Sequence, residues 1–176
     1  MPDELWVFGY GSLIWSPDFP VAERHIARLH DWRRSFCMKS VHYRGSASSP
    51  GLVLALDHAA GATCDGVAFL VQAGAEQETI MALRDRELIS YAYLEQHLMV
   101  ELPNGVQVRA LTFVINRDHA QYCGGLTLQA QAQVIATAQG VRGPNRDYLF
   151  TTAQHLTDLG IEDAELTQLT AMVSRM

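Results

Sequence analysis

The order of extended and helical patterns along the chain constrains its fold more than any single motif. Apolar runs and alternating segments bounded by turn residues occupy the first two thirds, with one helical pattern inserted after residue 75. Three helical patterns follow in succession in the last third. Strands and helices are therefore segregated rather than alternating, which predicts an α+β fold and disfavours a sheet built from βαβ units.

Five stretches carry the strand predictions beyond the first short strand. Residues 21–40 are predicted as two strands, because their apolar residues alternate with polar ones over only part of the segment. Residues 52–56 and 66–71 flank a turn of small residues and predict a hairpin. A second hairpin is expected from 93–101 and 106–115, with Asn104-Gly105 supplying residues of positive φ at its turn.

Helices are predicted over 76–89 and 127–138, then from Asn145 to Gly160 and from Asp163 onward. Acidic residues open the first helix, where the helix dipole favours them. Asn145 is expected to cap the third helix. Leu166, Leu169 and Val173 are expected to face inward on the fourth.

The first helix has an acidic residue on its apolar face. At 100° per residue, Glu87 projects between Ile80 and Leu83. One interpretation is structural, a half-exposed carboxylate paired with Arg84 or Arg86. The other is functional: burial disfavours the charged carboxylate and raises its pKa, which suits a general base working near neutral pH.

The stretch from Trp6 to Trp15 breaks an apolar run with glycines at positions 9 and 11. Glycine can adopt positive φ or allow a close backbone approach, so the N–H groups of Ser12 and Leu13 are candidates for binding an anion. An ordinary glycine turn at the end of a strand is the alternative. The third glycine of a dinucleotide fingerprint and the Gly-Lys-Ser/Thr of a P-loop are both absent.

Composition and charge narrow the function classes. The 176 residues, 48% hydrophobic and 18% charged, predict a single globular domain over 1–176. A net charge of -6 with 13 scattered basic residues argues against a nucleic-acid partner. No apolar run approaches the roughly 18 residues of a membrane span, and no leader is recognised. We therefore expect a cytoplasmic protein with no membrane association.

Cysteine and histidine usage gives no sign of a metal site. The three cysteines at positions 37, 64 and 123 are far apart and are expected to be free thiols. The seven histidines form no His-x-x-x-His pair, so no metal is predicted. No Gly-x-Ser-x-Gly nucleophile motif is present, which leaves Ser12 as the one hydroxyl retained as a possible nucleophile.

Four segments in order carry a family resemblance. They are Phe-Gly-Tyr-Gly-Ser-Leu-Ile-Trp at 8–15, Arg44-Gly45 followed by Pro50-Gly51, Arg86-Glu87, and Asn-Arg-Asp-Tyr-Leu-Phe at 145–150. Together they resemble the ChaC-type γ-glutamylcyclotransferases, from about Leu5 to the end of the chain. The resemblance implies a compact β-barrel surrounded by helices, with the glycine loop and a catalytic glutamate at a shared pocket. It also implies glutathione as substrate, 5-oxoproline and cysteinylglycine as products, and no cofactor.

The resemblance assigns roles to individual residues. Glu87 matches the catalytic acid/base, and Tyr148 matches a pocket-lining hydroxyl. Arg44 is a candidate donor to the substrate carboxylate or the oxyanion. The residues matching the loop that holds the γ-glutamyl group are Tyr10, Gly11, Ser12 and Leu13.

Two departures from the family pattern leave the substrate range open. Tyr91 stands where relatives often carry glycine, and Leu52 stands where they often carry a basic residue. Other γ-glutamyl amines or amino acids are therefore alternative substrates. A non-enzymatic regulator of cation transport is the alternative from a different class. The sequence carries no signal of oligomeric state.

Overall fold

A computed structural model describes residues 3–176. The chain divides into two compact units. The first contains the chain up to Arg34 and residues 55–119, and the second contains 35–54 and 120–176. The expectation of a single domain over 1–176 stays a prediction.

The structure contains seven strands, four helices and one 3₁₀ turn within the described residues. The strands are β1 (Trp6–Gly9), β2 (Val21–Ser40), β3 (Gly51–Val71), β4 (Tyr93–Glu101), β5 (Gln107–Ile115), β6 (Gln139–Gly140) and β7 (Gly143–Pro144). The helices are α1 (Glu76–Glu87), α2 (Leu128–Thr137), α3 (Asn145–Asp158) and α4 (Ala164–Ser174), and the 3₁₀ turn is Ser12–Ile14.

The first five strands form a closed barrel in the order β1-β3-β2-β4-β5, with a further pairing between β3 and β5. In the first unit β1 runs antiparallel to β3, with Trp6 opposite Leu70, and parallel to β5, with Trp6 opposite Ala110. Strands β4 and β5 pair antiparallel along their whole length. The expected α+β fold with a mixed barrel and following helices is confirmed.

Strands β2 and β3 are each continuous, so the predictions of two strands over 21–40 and of a hairpin over 52–71 were wrong. Two residues with positive φ, Asp31 (68°) and Gly61 (82°), lie inside these strands. The Gly61 N–H donates to Asp31 Oδ1 at 2.9 Å. The glycine that suggested a turn therefore kinks a strand without ending it.

The hairpin of β4 and β5 is confirmed, with a different turn from the one expected. Gly105 has φ of 80°, whereas Asn104 is not among the residues with positive φ. The Gly105 N–H donates to the Leu102 carbonyl at 2.9 Å, and the Leu102 N–H donates to the Val106 carbonyl at 2.8 Å. These bonds describe a three-residue loop that places one glycine in the left-handed region.

Helix α1 packs its apolar face on the interior of the first unit. Leu83 is 2% exposed, and Ile80 and Leu88 pack against the same cluster of side chains. The buried members of this cluster are Val7, Leu13, Val71, Leu83, Leu111 and Phe113. The helix ends at Glu87, two residues before the predicted end.

The C-terminal helices of the second unit follow their sequence patterns closely. Asp163 caps α4, since its Oδ1 accepts the Leu166 N–H at 3.1 Å, and the predicted inward residues of α4 are buried. Thr127 caps α2 in the same way, through Ala130. Within residues 3–176, no helix has both the length and the apolar character needed to cross a membrane.

Asn145 does not cap α3, contrary to the prediction. It is the first helical residue, it is fully buried, and its side chain reaches strand β3. Its Oδ1 accepts the Leu52 N–H and its Nδ2 donates to the Leu52 carbonyl, both at 2.8 Å. Asn145 therefore fastens the start of α3 to β3.

Candidate active site

Glu87 lies at the end of α1 with its side chain 16% exposed. Its Oε1 is 3.3 Å from Nε of Arg86. This partial burial agrees with the projection from the sequence, which put the carboxylate on the side of the helix that carries Leu83. The local ion pair and the partial burial occur together, so the two interpretations of Glu87 are not exclusive.

Arg84, the other partner considered for Glu87, pairs with a different carboxylate. Its Nε and Nη2 donate to the two oxygens of Glu95 on β4, at 2.7 and 3.0 Å. This hydrogen-bonded pair lowers the pKa of Glu95 below the ordinary carboxyl value and raises the pKa of Arg84. Arg84 therefore pairs with Glu95, whereas Arg86 pairs with Glu87.

The glycine loop follows β1 and is held at its tyrosine from two sides. Tyr10 is 8% exposed, and its hydroxyl donates to the Phe113 carbonyl at 2.7 Å. Its own carbonyl accepts from Nε of Arg34 at 2.8 Å. Arg34 is itself buried and also donates to the Asp65 carbonyl. Because a peptide unit is planar and trans, the bond that fixes the Tyr10 carbonyl also fixes the direction of the Gly11 N–H.

Neither Gly9 nor Gly11 adopts positive φ, and the need for glycine at position 9 comes from close packing. A Cβ on Gly9 would lie 3.0 Å from the Leu13 Cβ and 3.2 Å from the Phe69 ring. The loop continues as the single 3₁₀ turn Ser12–Ile14. In residues 3–176 the N–H groups of Ser12 and Leu13 have no hydrogen-bond acceptor. The predicted anion-binding donors are therefore not consumed by the loop itself.

Arg86 joins this loop to the end of α1. Its Nη2 donates to Ser12 Oγ at 3.0 Å, and its Nη1 donates to the Ser16 carbonyl at 2.6 Å and to Asp18 Oδ2 at 3.1 Å. Its Nε faces Glu87 at the distance given above. The side chain of Arg86 is 21% exposed. One guanidinium therefore contacts both the loop and the candidate catalytic carboxylate.

Arg44 belongs to the second unit. Its Nη1 donates to the carbonyls of Arg142 and Pro144 at 3.0 and 3.3 Å, and its guanidinium carbon lies 5.8 Å from the centroid of the Tyr148 ring. Burial lowers the pKa of Arg44 from its ordinary value, while Tyr148 and Asp147 act in the opposite direction. Arg44 is thus a partly desolvated cation anchored by backbone carbonyls.

Tyr148 lies on α3 and is 9% exposed. Its hydroxyl oxygen accepts the Leu54 N–H at 3.2 Å, and its ring meets Phe36 edge to face with centroids 6.0 Å apart. This hydroxyl therefore contacts strand β3 of the second unit, in addition to any role in a pocket. Asn145 and Tyr148 sit one turn apart and dock the same face of α3 on that strand.

Tyr91 and Leu52, the two residues that depart from the family pattern, differ in exposure. Tyr91 has φ of 58°, a conformation that glycine adopts more easily, and its side chain is 70% exposed. Leu52 is buried at 2% exposure, and its backbone is engaged by Asn145. The effect of these two residues on the substrate range stays a prediction.

The structure brings the loop at 10–13 and Glu87 together through Arg86, within the first unit. It places Arg44 and Tyr148 together in the second unit. Sequence reasoning missed Arg34. It quoted Arg86 in the Arg86-Glu87 segment and gave it no role beyond a local ion pair with Glu87. Among the described residues, no group of three His, Cys, Asp or Glu side chains is arranged to hold a metal ion.

Comparisons with known proteins give a consistent result. The family model described as ChaC-like protein matches residues 5–176. The glutathione-specific gamma-glutamylcyclotransferase of Escherichia coli (strain K12) is 35% identical over 177 residues, which cover 99% of this chain and 76% of that protein. Glutathione-specific gamma-glutamylcyclotransferase 1 of Homo sapiens is 30% identical, with 99% of this chain and 81% of that protein covered.

A solved structure agrees with the fold. The crystal structure of a selenomethionine-labelled gamma-glutamyl cyclotransferase specific to glutathione, from yeast, superimposes with a TM-score of 0.87 at 23% identity. The alignment covers 98% of this chain and 96% of the yeast chain. The barrel and its helices are therefore a shared fold.

Proposed function

Because this chain belongs to the ChaC-like protein family, we propose that it is an enzyme that degrades glutathione to 5-oxoproline and cysteinylglycine, with Glu87 as general base and acid. The observation that carries the proposal is the placement of Glu87. Its carboxylate is largely withdrawn from solvent and is linked by Arg86 to a loop whose Ser12 and Leu13 N–H groups have no acceptor in residues 3–176. One guanidinium therefore contacts both the candidate base and the loop that carries the candidate anion donors.

The first step is removal of a proton from the α-ammonium group of the γ-glutamyl moiety. That amine is mostly protonated near neutral pH and has no lone pair for attack in this form. Glu87 takes the proton, and the free amine then attacks the γ-carbonyl carbon. A five-membered ring forms in an intramolecular reaction, in which correct orientation alone is worth about 7–11 kcal/mol of the barrier. No protein nucleophile is needed, so Ser12 is assigned to binding.

The second step is collapse of the tetrahedral intermediate. Its oxyanion and the α-carboxylate of the substrate both need hydrogen-bond donors, for which the N–H groups of Ser12 and Leu13 are candidates. Protonated Glu87 gives its proton to the departing nitrogen of the cysteinyl residue as the amide C–N bond breaks. The ring nitrogen carries two protons after its attack and gives one of them to the released amine, so the products are a neutral lactam nitrogen and an ammonium group on cysteinylglycine. Glu87 is thereby returned to its starting state, and no water is consumed.

The test is detection of 5-oxoproline by mass spectrometry. Purified protein is given reduced glutathione, γ-glutamylalanine or oxidised glutathione in separate reactions. Glu87→Gln is expected to lower the rate at least about 100-fold, since general acid–base catalysis contributes about 10²–10⁴. Glu95→Gln is the matched control, because Glu95 is a carboxylate of the same unit that is paired with a different arginine.

Each outcome has a defined meaning. Product from reduced glutathione that is lost in Glu87→Gln and kept in Glu95→Gln supports both the substrate and the base. Product from γ-glutamylalanine alone moves the substrate to another γ-glutamyl compound. Absence of product from all three compounds contradicts the enzymatic proposal and favours a regulator of cation transport.

A further inference from the structure

We propose that Arg86 is a positioning residue, which makes the Ser12 hydroxyl a hydrogen-bond donor to an anionic oxygen of the substrate and holds the Glu87 carboxylate against the loop. This inference rests on the proposed function, because it concerns the same site. It adds a residue whose role follows from the geometry of one side chain.

The direction of the bond between Arg86 and Ser12 sets the direction of the hydroxyl proton. A guanidinium has N–H donors and no acceptor, so Ser12 Oγ must accept in this contact. The proton of the hydroxyl then points away from Arg86. In residues 3–176, no acceptor receives that proton. Together with the backbone N–H groups of Ser12 and Leu13, it forms a third donor on the same turn.

The planar guanidinium of Arg86 also links the position of the Glu87 carboxylate to the position of the loop. Nη1 and Nη2 bind the loop through the Ser16 carbonyl and Ser12 Oγ, while Nε faces Glu87 Oε1. These atoms belong to one rigid, delocalised group, so the position of the carboxylate is tied to the position of the turn. Asp18 supplies a further anionic contact on the solvent side.

Lysine is the informative replacement. It keeps the positive charge, but its donors radiate from a single nitrogen and cannot match contacts made by three separate atoms of a fork. Arg86→Lys is expected to lower kcat/KM for 5-oxoproline formation at least about ten-fold, which is the size of one lost hydrogen bond to a charged group. Arg84→Lys is the matched control, because Arg84 is on the same helix and is paired with Glu95 outside the loop.

A double-mutant cycle tests whether Arg86 acts through Ser12. If it does, Arg86→Lys loses a large part of its effect on kcat/KM when Ser12→Ala is already present, because the bond it disrupts is already gone. Additive effects of the two changes would overturn the proposal. Wild-type kcat/KM in Arg86→Lys would overturn it as well, since charge alone would then suffice.

A measurement that does not depend on activity separates this inference from the proposed function. The Ile14 and Ser16 N–H groups bond to the carbonyls of Gly11 and Ser12. Their hydrogen exchange is expected to speed up in Arg86→Lys and to stay as in the wild type in Arg84→Lys. Unchanged exchange at these two amides refutes the positioning role even if the protein makes no 5-oxoproline. An active wild type with unaffected Arg86→Lys refutes the inference and leaves the proposed function standing.

Discussion

Replacing Asn145 by alanine should destabilise the protein strongly, although Asn145 was predicted to be an ordinary helix cap. The side chain is fully buried and satisfies both backbone groups of Leu52 at 2.8 Å. Alanine leaves a buried N–H and a buried carbonyl without their partners, and each orphaned group costs about 1–3 kcal/mol. The expected loss of unfolding free energy is therefore about 2–6 kcal/mol.

Thermal unfolding followed by circular dichroism measures this loss. For a chain of this length, each kcal/mol corresponds to about 2–4 °C in Tm, so Asn145→Ala should lower Tm by at least about 4 °C. Asn104→Ala is the matched control, since its Oδ1 accepts the Val106 N–H in an exposed turn that water can reach. A decrease in Tm no larger than that of Asn104→Ala would refute the account of α3 docking on β3.

Asn145→Asp tests the same contact through pH. One carboxylate oxygen can still accept the Leu52 N–H, but the other replaces the Nδ2 donor and faces the Leu52 carbonyl. Burial and this contact raise the pKa of the introduced carboxyl in the folded state. The folded state then binds the proton more tightly than the unfolded state, so the variant gains stability as pH falls. Asn145→Ala should show no such gain relative to the wild type.

Two further predictions concern pairs of residues in known contact. The pKa of Glu95 is lowered by its hydrogen bond to Arg84, so this pair stabilises the folded state above the ordinary carboxyl pKa and stops doing so as pH falls through the lowered value. Arg84→Gln should therefore lower Tm near neutral pH and not in strong acid, as paired unfolding curves would show; an equal decrease at both would contradict it. Gly51→Ala should lower Tm more than Gly74→Ala does, because a Cβ on Gly51 would lie 2.2 Å from the Arg44 carbonyl oxygen. At Gly74 an added Cβ meets nothing within 4 Å, so alanine there is destabilising only through its φ of 91°. Equal decreases in Tm would contradict the prediction, because they would show that the backbone near Arg44 moves to accommodate the Cβ.

Local patterns were sufficient for helix α4 and for the apolar side of helix α1. In α4 the cap at Asp163 and the inward residues Leu166, Leu169 and Val173 follow from a 3.6-residue period and from a side chain that bonds three residues ahead. The same period placed Glu87 beside Leu83, which identified the candidate base. Each of these features depends on residues within one or two turns of one another.

Long strands were not predictable in the same way. Gly61 was interpreted as part of a turn because glycine usually marks one, whereas here its N–H bonds Asp31 on the neighbouring strand β2 and β3 is continuous. The partner that decides between a turn and a kink lies 30 residues away. Asn145 shows the same difficulty, because its side chain is committed to Leu52, 93 residues earlier in the chain.

The family resemblance named the loop and the glutamate, but not the side chains that hold them. Arg34 binds the Tyr10 carbonyl from 24 residues away. A buried guanidinium that serves a backbone oxygen has no sequence signature, since the acceptor is present in every residue. Arg86 could be noticed as a neighbour of Glu87, but its contact with Ser12 depends on the folded path of the loop.

The division into two units has a consequence for how the protein is made. Their segments alternate along the chain, so any contiguous fragment that contains all of one unit also carries part of the other. A ribosome completes residues 35–54 and then adds 55–119 before the rest of the second unit begins. At about 5–20 residues per second, this interval lasts several seconds. During this interval the nascent chain contains only part of the second unit. The strand residues of that part lack their partners and can be bound by chaperones or by other chains.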